Sequence, residues 1–347
     1  MTIRDNLNIS KFEPLSSPAE LKSSLPLSDA GSQRVMNDRL TVQNILEHKS
    51  DKLLVIVGPC SIHDPIEALE YAKRLKKLSL EVDSKLMLIM RVYFEKPRTT
   101  IGWKGLIYDP DLDGSCHISK GLSIARKLLL DIDELGLPTA TEILDPVTAQ
   151  YIADLIAWAA IGARTTESQP HRQLVSGLSM PVGFKNSTNG NINTAIEAIG
   201  AAIHKHVFLG VLDDGRSGIF HTKGNKYCHV VLRGGNKTEN YSSEYIAYTK
   251  ELMIKNSLIP NIVVDCSHSN SGKIAKNQSK VLRNVILQKK GGEKSIIGVM
   301  IESNLNHGKQ KVDDTSTIKP GISITDGCIG WEETESLIKE LYRDLEI

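Results

Sequence analysis

A closed (β/α)8 barrel, an α/β fold, is what this sequence predicts, and three observations carry the prediction. Eight short apolar runs recur from residue 53 onward: "LLVIV" (53–57), "LMLIMRV" (86–92), "PTATEI" (138–143), "IAWAAIGA" (156–163), "PVGFKN" (181–186), "CHVVLRGG" (228–235), "IVVDCSH" (262–268) and "IIGVMIES" (296–303). Runs that lack polar alternation read as strands buried on both faces, the pattern of a parallel sheet. Helical segments lie between them, with starts such as Asp64-Pro65 and Asp145-Pro146 that each offer an Asp N-cap followed by proline. Eight βα units over about 290 residues match the size of one such barrel. An open doubly wound sheet is the alternative.

Ahead of the barrel, residues 1–48 are polar, rich in Ser and Pro, and have no strand-like run, so they read as an N-terminal arm carrying short helices. "SPAE" (17–20) sets Ser17 as N-cap, Pro18 at the first helical position and Glu20 where a capping box needs it. The spacing of Val35, Val42, Ile45 and Leu46 predicts a second, amphipathic helix leading into the barrel domain, residues 49–347. One interruption stands out: "HVFLGVL" (206–212) and "IFHT" (219–222) flank the turn "DDGRSG" and predict a β-hairpin inserted at about 206–228, beside the sixth barrel strand.

Composition excludes several classes. The 347 residues hold 42 Lys and Arg against 41 Asp and Glu, a formal charge of +1, which argues against a general nucleic-acid or membrane binder. Five cysteines without a CxxC pair are not a secreted disulfide framework. The start has no apolar leader, and "LIAWAAIGA", the longest apolar or glycine run, is too short to span a bilayer, so a cytoplasmic location is expected.

Catalytic groups of such a barrel come from the carboxyl ends of its strands and the loops after them. Here those ends carry Cys60, Arg91, Glu142, Arg164, Lys185, Arg233, His268 and Glu302, with Lys96, Arg98 and Asp326 in following loops. Arg91, Lys96, Arg98, Arg164, Lys185 and Arg233 would converge on one mouth. Two like charges about 4 Å apart repel by about 4 kcal/mol at an effective dielectric of 20, so the cluster predicts anionic substrates, carboxylate or phosphate. Cys60, His268, Glu302 and Asp326 form a mixed thiolate, imidazole and carboxylate set that suits a divalent transition metal. For Cys60, which follows Gly58-Pro59 and is expected to be exposed at the strand stop, the alternative is a small hydrophobe at a strand end.

The motifs "GPCSIHDP", "MRVYFEKPRTTIGWKGLIYDP", "IGARTTESQ", "PVGFKNSTNG", "LRGGN", "DCSHSNS", "IESN" and "SITDGCIGWE" resemble those of the microbial 3-deoxy-D-arabino-heptulosonate 7-phosphate (DAHP) synthases that carry an N-terminal extension. The resemblance runs from about residue 5 to the C-terminus. It implies condensation of phosphoenolpyruvate with erythrose 4-phosphate, the first step of the shikimate pathway, aided by a divalent metal (Mn2+, Fe2+, Co2+ or Zn2+). Carried over residue by residue, it implies metal ligation by Cys60, His268, Glu302 and Asp326. Phosphoenolpyruvate contacts fall on Arg91, Lys96, Arg164, Lys185 and Arg233, with Glu142 near the phosphate. Erythrose 4-phosphate is received by Lys96-Pro97-Arg98-Thr99, and Lys96 is placed to stabilise or protonate the new alkoxide. For the group that guides the attacking water, Glu142 and a metal-bound group are left as open alternatives. Competing readings are an octulosonate 8-phosphate synthase, whose relatives lack the long arm and the KPRT segment, a metal-dependent barrel aldolase or hydrolase, and a non-enzymatic homologue.

The resemblance also implies a homodimer or homotetramer and feedback inhibition by an aromatic amino acid. Its effector site would draw on Asp5 of the arm, Gln150, Leu174, Leu178 and Ser179 of the barrel, and Phe208, Gly210 and Val211 of the hairpin. Gly at 210, where phenylalanine-sensitive members have Ser, favours tyrosine by leaving room for a phenol hydroxyl. Cys328, two residues after Asp326, is expected to approach Cys60 closely enough for an oxidative disulfide when metal is absent.

Overall fold

A computed structural model of the chain describes residues 5–236, 238–312 and 314–345; the first four residues of the expected arm and the last two of the barrel domain lie outside them. Eight parallel strands close into a barrel: β1 (Leu53–Gly58), β2 (Leu86–Arg91), β3 (Thr139–Glu142), β4 (Trp158–Ile161), β5 (Val182–Lys185), β8 (Cys228–Leu232), β9 (Ile262–Asp265) and β10 (Ile296–Glu302). Every residue of these strands is buried, which is why the sequence runs lack polar alternation. Closure comes from β1 pairing with β10, in a register that sets Gly58 opposite Glu302. The first and last strands of the barrel are therefore neighbours.

Helices cover the barrel, α4 (Ile118–Glu134) among them. Helix α3 (Pro65–Val82) starts on Asp64, whose carboxylate accepts the N–H groups of Ile66 and Glu67, as the sequence predicts. Asp145 departs from that pattern. The helix after β3, α5 (Ala149–Ile152), begins four residues later with no side-chain cap. Asp145 instead closes a local turn on Val147 N–H at 2.7 Å and accepts the Tyr108 hydroxyl at 2.7 Å. An Asx turn and an N-cap use the same acceptor chemistry, so the dipeptide alone does not separate them.

Before the barrel, α1 (Pro18–Ser24) carries the full capping box of Ser17 and Glu20. Helix α2 (Asp29–Leu46) buries Val35, Val42, Ile45 and Leu46, the stripe expected from spacing. It is pinned to the barrel by Arg39, which donates to the carbonyls of Ala153 and Ile156, and by the Arg34–Asp133 ion pair. The insertion is an antiparallel hairpin of β6 (Val207–Val211) and β7 (Ser217–His221), outside the barrel sheet. Ala19 N–H donates to Asp213 O at 2.7 Å and Lys22 pairs with Asp213 at 2.9 Å, so α1 touches the hairpin turn. Among the described residues no helix is long and apolar enough to cross a membrane.

Candidate active site

The carboxyl ends of the barrel strands open into a cleft of about 190 Å3 lined by Arg91, Lys96, Pro97, Arg98, Glu142, Arg164, Lys185, Arg233, His268, Lys273, Glu302 and Asp326, among others. All six cations expected at the strand ends line it, joined by Lys273 from the loop after β9. Three of its carboxylates, Glu142, Glu302 and Asp326, balance seven cationic side chains only in part. An outer cavity of about 940 Å3 shares Arg164, Thr188, Arg233 and Lys273 with the inner cleft and adds Thr99 and Ser269. The two compartments thus meet across Arg164 and Arg233, and the Lys96–Thr99 segment spans them.

Two of the cations, Arg91 and Lys185, are each held by a buried carboxylate. Arg91, fully buried, donates through Nη2 to Glu302 Oε1 at 3.1 Å and stacks its guanidinium 3.9 Å from the centroid of Tyr93. Its Nη1 is buried with no hydrogen-bond partner, an unmet donor at the cleft wall. Leaving such a donor unpaired costs about 1–3 kcal/mol, so an acceptor that reached the cleft wall would be favoured there. Lys185 lies 3.5 Å from Glu142 Oε2 and 3.4 Å from Asp265 Oδ2. Burial opposes its charge, yet Tyr93, Asp265 and Glu142 together hold its pKa above the ordinary lysine value. Burial likewise opposes ionisation of Glu142, but Lys185, Lys96 and His268 keep that carboxyl below its usual range. At Arg233 burial wins and the pKa falls.

The expected metal-binding set assembles at one side of the cleft. Ligand atoms of Cys60, Glu302 and Asp326 lie within 4.8 Å of one another. His268 falls outside that trio but directs Nε2 to 3.8 Å from Glu302 Oε1. Barrel closure supplies Cys60 and Glu302 from adjoining strands, and Asp326 arrives on the loop that returns to the β1 end. There Ser61 Oγ and Thr325 Oγ1 hydrogen-bond at 2.7 Å. Burial opposes the charge on Glu302, but His268, Arg91 and Lys96 bring its pKa down to about 2. It is ready as an anionic donor. Burial, reinforced by Glu302, pushes the Cys60 thiol up, so ligation requires a cation that displaces the thiol proton. A soft sulfur beside imidazole and carboxylate donors fits a divalent first-row transition metal.

Cys60 is not exposed as the strand stop suggests; it is completely buried. Gly58, at φ 152°, lets the chain pass tightly over β2: a Cβ there would lie 3.0 Å from the Arg91 carbonyl oxygen. The turn carries Cys60 inward beneath Lys96, whose Nζ donates to Cys60 O at 3.1 Å and approaches Sγ at 3.2 Å. Burial opposes the charge on Lys96, while Cys60, Glu302 and Glu142 hold it protonated. Cys328 is also buried, and both are free thiols.

The residues expected at the effector site are only partly gathered. Leu174 on α6 (Gln169–Val175) and Leu178 pack beside the hairpin base, where Ser176 and Thr222 share a 2.7 Å hydrogen bond. Phe208 and Gly210 lie on one hairpin face with Phe220, and Phe208 stacks on Phe220 at 5.6 Å. Val211 lies on the other face, with Leu209 and Val207, because strand side chains alternate. The room at Gly210 is taken by Phe220: a Cβ at 210 would lie 2.8 Å from that ring. Gln150 is half-buried near the start of α5, and Ser179 is exposed before β5. Asp5 is exposed, and its described hydrogen bond is to the N–H of Asn6 alone.

Sequence reasoning missed Asp265, Tyr93 and Lys273. Asp265 was open to inference, being a carboxylate at the end of the otherwise apolar "NIVVDCSH" strand. Tyr93 reads as an ordinary core aromatic. Lys273 sits at φ 61° in a loop whose path no local pattern specifies.

Fold and site together define a (β/α)8-barrel enzyme whose cationic cleft adjoins a cysteine–carboxylate ligand cluster. Residues 30–339 match the DAHP synthetase I family, and the chain belongs to that family. It is 50% identical over 342 residues to the Tyr-sensitive phospho-2-dehydro-3-deoxyheptonate aldolase of Escherichia coli K12, covering 98% of this chain and 96% of the relative. It is 52% identical over 337 residues to the Phe-sensitive enzyme of the same strain, covering 97% and 96%. A solved phospho-2-dehydro-3-deoxyheptonate aldolase from Francisella tularensis SCHU S4 superposes with a TM-score of 0.95 at 46% identity, over 97% of this chain and 98% of that one.

Proposed function

We propose that the chain, as an enzyme of this family, condenses phosphoenolpyruvate with D-erythrose 4-phosphate to DAHP and phosphate, the first step toward aromatic amino acids. The carrying observation is the two-compartment cleft, in which Arg164 and Arg233 stand between an inner cationic cluster and an outer cavity. In this reading Arg91, Lys96, Arg164, Lys185 and Arg233 bind the enol phosphate, and Arg91 Nη1 supplies its unmet donor to the substrate. Pro97, Arg98 and Thr99 form the receiving segment for the second phosphate. Holding two anions among fixed cations offsets their repulsion and orients the enol carbon toward the aldehyde. Cys60, His268, Glu302 and Asp326 hold a divalent transition metal that, when bound, supplies Lewis acidity to the aldehyde oxygen. Lys96, kept protonated between Cys60 and Glu142, donates the proton that the new alkoxide takes up. Glu142 lies beside the phosphate of the enol.

Residues 1–48 serve in this reading as a regulatory and oligomerisation arm on a cytoplasmic homodimer or homotetramer. Apolar residues exposed on both partners support it: Leu7 and Phe12 on the arm, Leu209 and Ile219 on the hairpin. Tyrosine is the favoured effector. The deciding experiment measures phosphate release with each substrate alone and with both, after metal is stripped and restored, against each aromatic amino acid. Release that needs both substrates and metal, and that tyrosine suppresses, is the expected result. Release from one substrate alone would instead indicate a hydrolase.

A further inference from the structure

We propose that Asp265 is a positioning residue: it sets the ring orientation and tautomer of His268 and, through the same oxygen, holds Lys185, so that the metal donors and the enol-phosphate site share one support. The proposal rests on the reading of His268 as a ligand. Asp265 ends β9 and is completely buried. Its Oδ1 accepts the N–H of Ser267 at 3.0 Å, which fixes the plane of the carboxylate. Its Oδ2 is left to two side chains, His268 Nδ1 at 2.9 Å and Lys185 Nζ at 3.4 Å. His268 reaches back over three residues because its backbone adopts a left-handed φ of 52°.

The approach of Nδ1 to Oδ2 lies off the line of an ideal hydrogen bond, and neither buried atom has another hydrogen-bond partner. A small ring rotation aligns them. With the proton on Nδ1 the ring faces a carboxylate favourably and presents a lone pair from Nε2 toward Glu302. The opposite tautomer would set the Nδ1 lone pair against Oδ2 and protonate the ligating atom. A carboxylate behind a histidine selects the ligating tautomer in this way.

Asp265→Asn tests the assignment in the full-length chain. The amide oxygen stays on Ser267 N–H, so the NH2 group faces Nδ1 and draws the imidazole proton to Nε2. The Co2+ dissociation constant should rise about ten- to a hundredfold, the range for loss of such a partner. His268→Ala should weaken Co2+ binding as well, and the double variant should bind no more weakly than His268→Ala alone. Phosphoenolpyruvate binding to the metal-free chain should weaken in Asp265→Asn but not in His268→Ala. Effects on Co2+ that multiply in the double variant would overturn the proposal. If His268→Ala leaves Co2+ affinity unchanged, the ligand reading itself fails. Should Asp265→Asn not fold, long-range 1H–15N spectra of the metal-free native chain at alkaline pH decide. The ring signal absent from His268→Ala should be the Nδ1–H tautomer, and an Nε2–H tautomer sinks the idea.

Discussion

The barrel mouth and the inserted hairpin are built on opposite terms. At the mouth, charged side chains are buried and meet partners from other strands: Arg91 with Glu302, and Lys185 with Glu142 and Asp265. On the hairpin, Val207, Leu209 and Ile219 are 58%, 81% and 62% exposed within a single chain. Burying charge costs several kcal/mol per ion unless geometry compensates it, so the mouth's arrangement is over-determined. Exposed apolar side chains instead gain from being covered by something else. The mouth's charges find their partners inside one chain, whereas the hairpin's apolar face stays exposed.

The sharpest break of that contrast is at the mouth. Cys60→Ala should abolish turnover in metal-limited buffer while the far-ultraviolet circular dichroism of the metal-free chain stays native; full turnover would remove Cys60 from the ligand set. Next come Arg164→Ala and Arg233→Ala, each expected to lose about 3 kcal/mol of transition-state stabilisation, on the order of a hundredfold in kcat/KM. A fall of less than about tenfold contradicts their role.

On the open side, removing the arm should abolish inhibition by tyrosine and leave uninhibited kcat unchanged. The deletion has to stop near residue 15. Cutting to residue 40 would strip α1 and most of α2, with the buried Leu21 and Val35 and the anchoring Arg39. Inhibition that survives the shorter deletion separates the arm from the effector site.

Glu95 lies between the mouth and the arm. Its carboxylate accepts N–H groups of Leu144 and Asp145 and the Thr148 hydroxyl, just ahead of α5, and Tyr151 of that helix bonds Ser16 O of the arm. Burial pushes its pKa up to about 8, against those donors. A carboxyl with a pKa higher folded than unfolded contributes stability that is complete below its ordinary range and is lost as pH rises through the folded value. Urea midpoints should therefore fall between about pH 5 and about pH 9, and Glu95→Gln should flatten the slope. An unchanged slope would assign it to another group. The smallest effect is expected for Gly210→Ser. Its Cβ must displace the Phe220 ring, so a few-fold shift from tyrosine toward phenylalanine should accompany lost Phe208–Phe220 stacking. Unchanged effector preference with the ring displaced would remove position 210 from specificity.

Much of the mouth was legible because parallel strands buried on both faces write themselves as apolar runs, and a charged residue ending such a run has few places to go. That logic located Arg91, Glu142, Lys185 and Glu302. It could not see that Gly58 turns Cys60 inward, since that depends on how closely β1 and β2 approach. Asp145 was misread because an Asx turn and a helix cap look alike over four residues. The effector residues were the least legible. Hairpin alternation alone would have set Val211 on the face opposite Gly210, but which face meets a ligand depends on what covers it.

Barrel closure has a consequence for synthesis. The thiol at position 60 emerges early from the ribosome, while its carboxylate neighbours at 302 and 326 come almost last. Contacts this distant in sequence form only after most of the chain exists. Until then the thiol at 60 has neither carboxylate beside it, so this donor set exists only once the barrel has closed, and an ion that needs all of it would be taken up after that step.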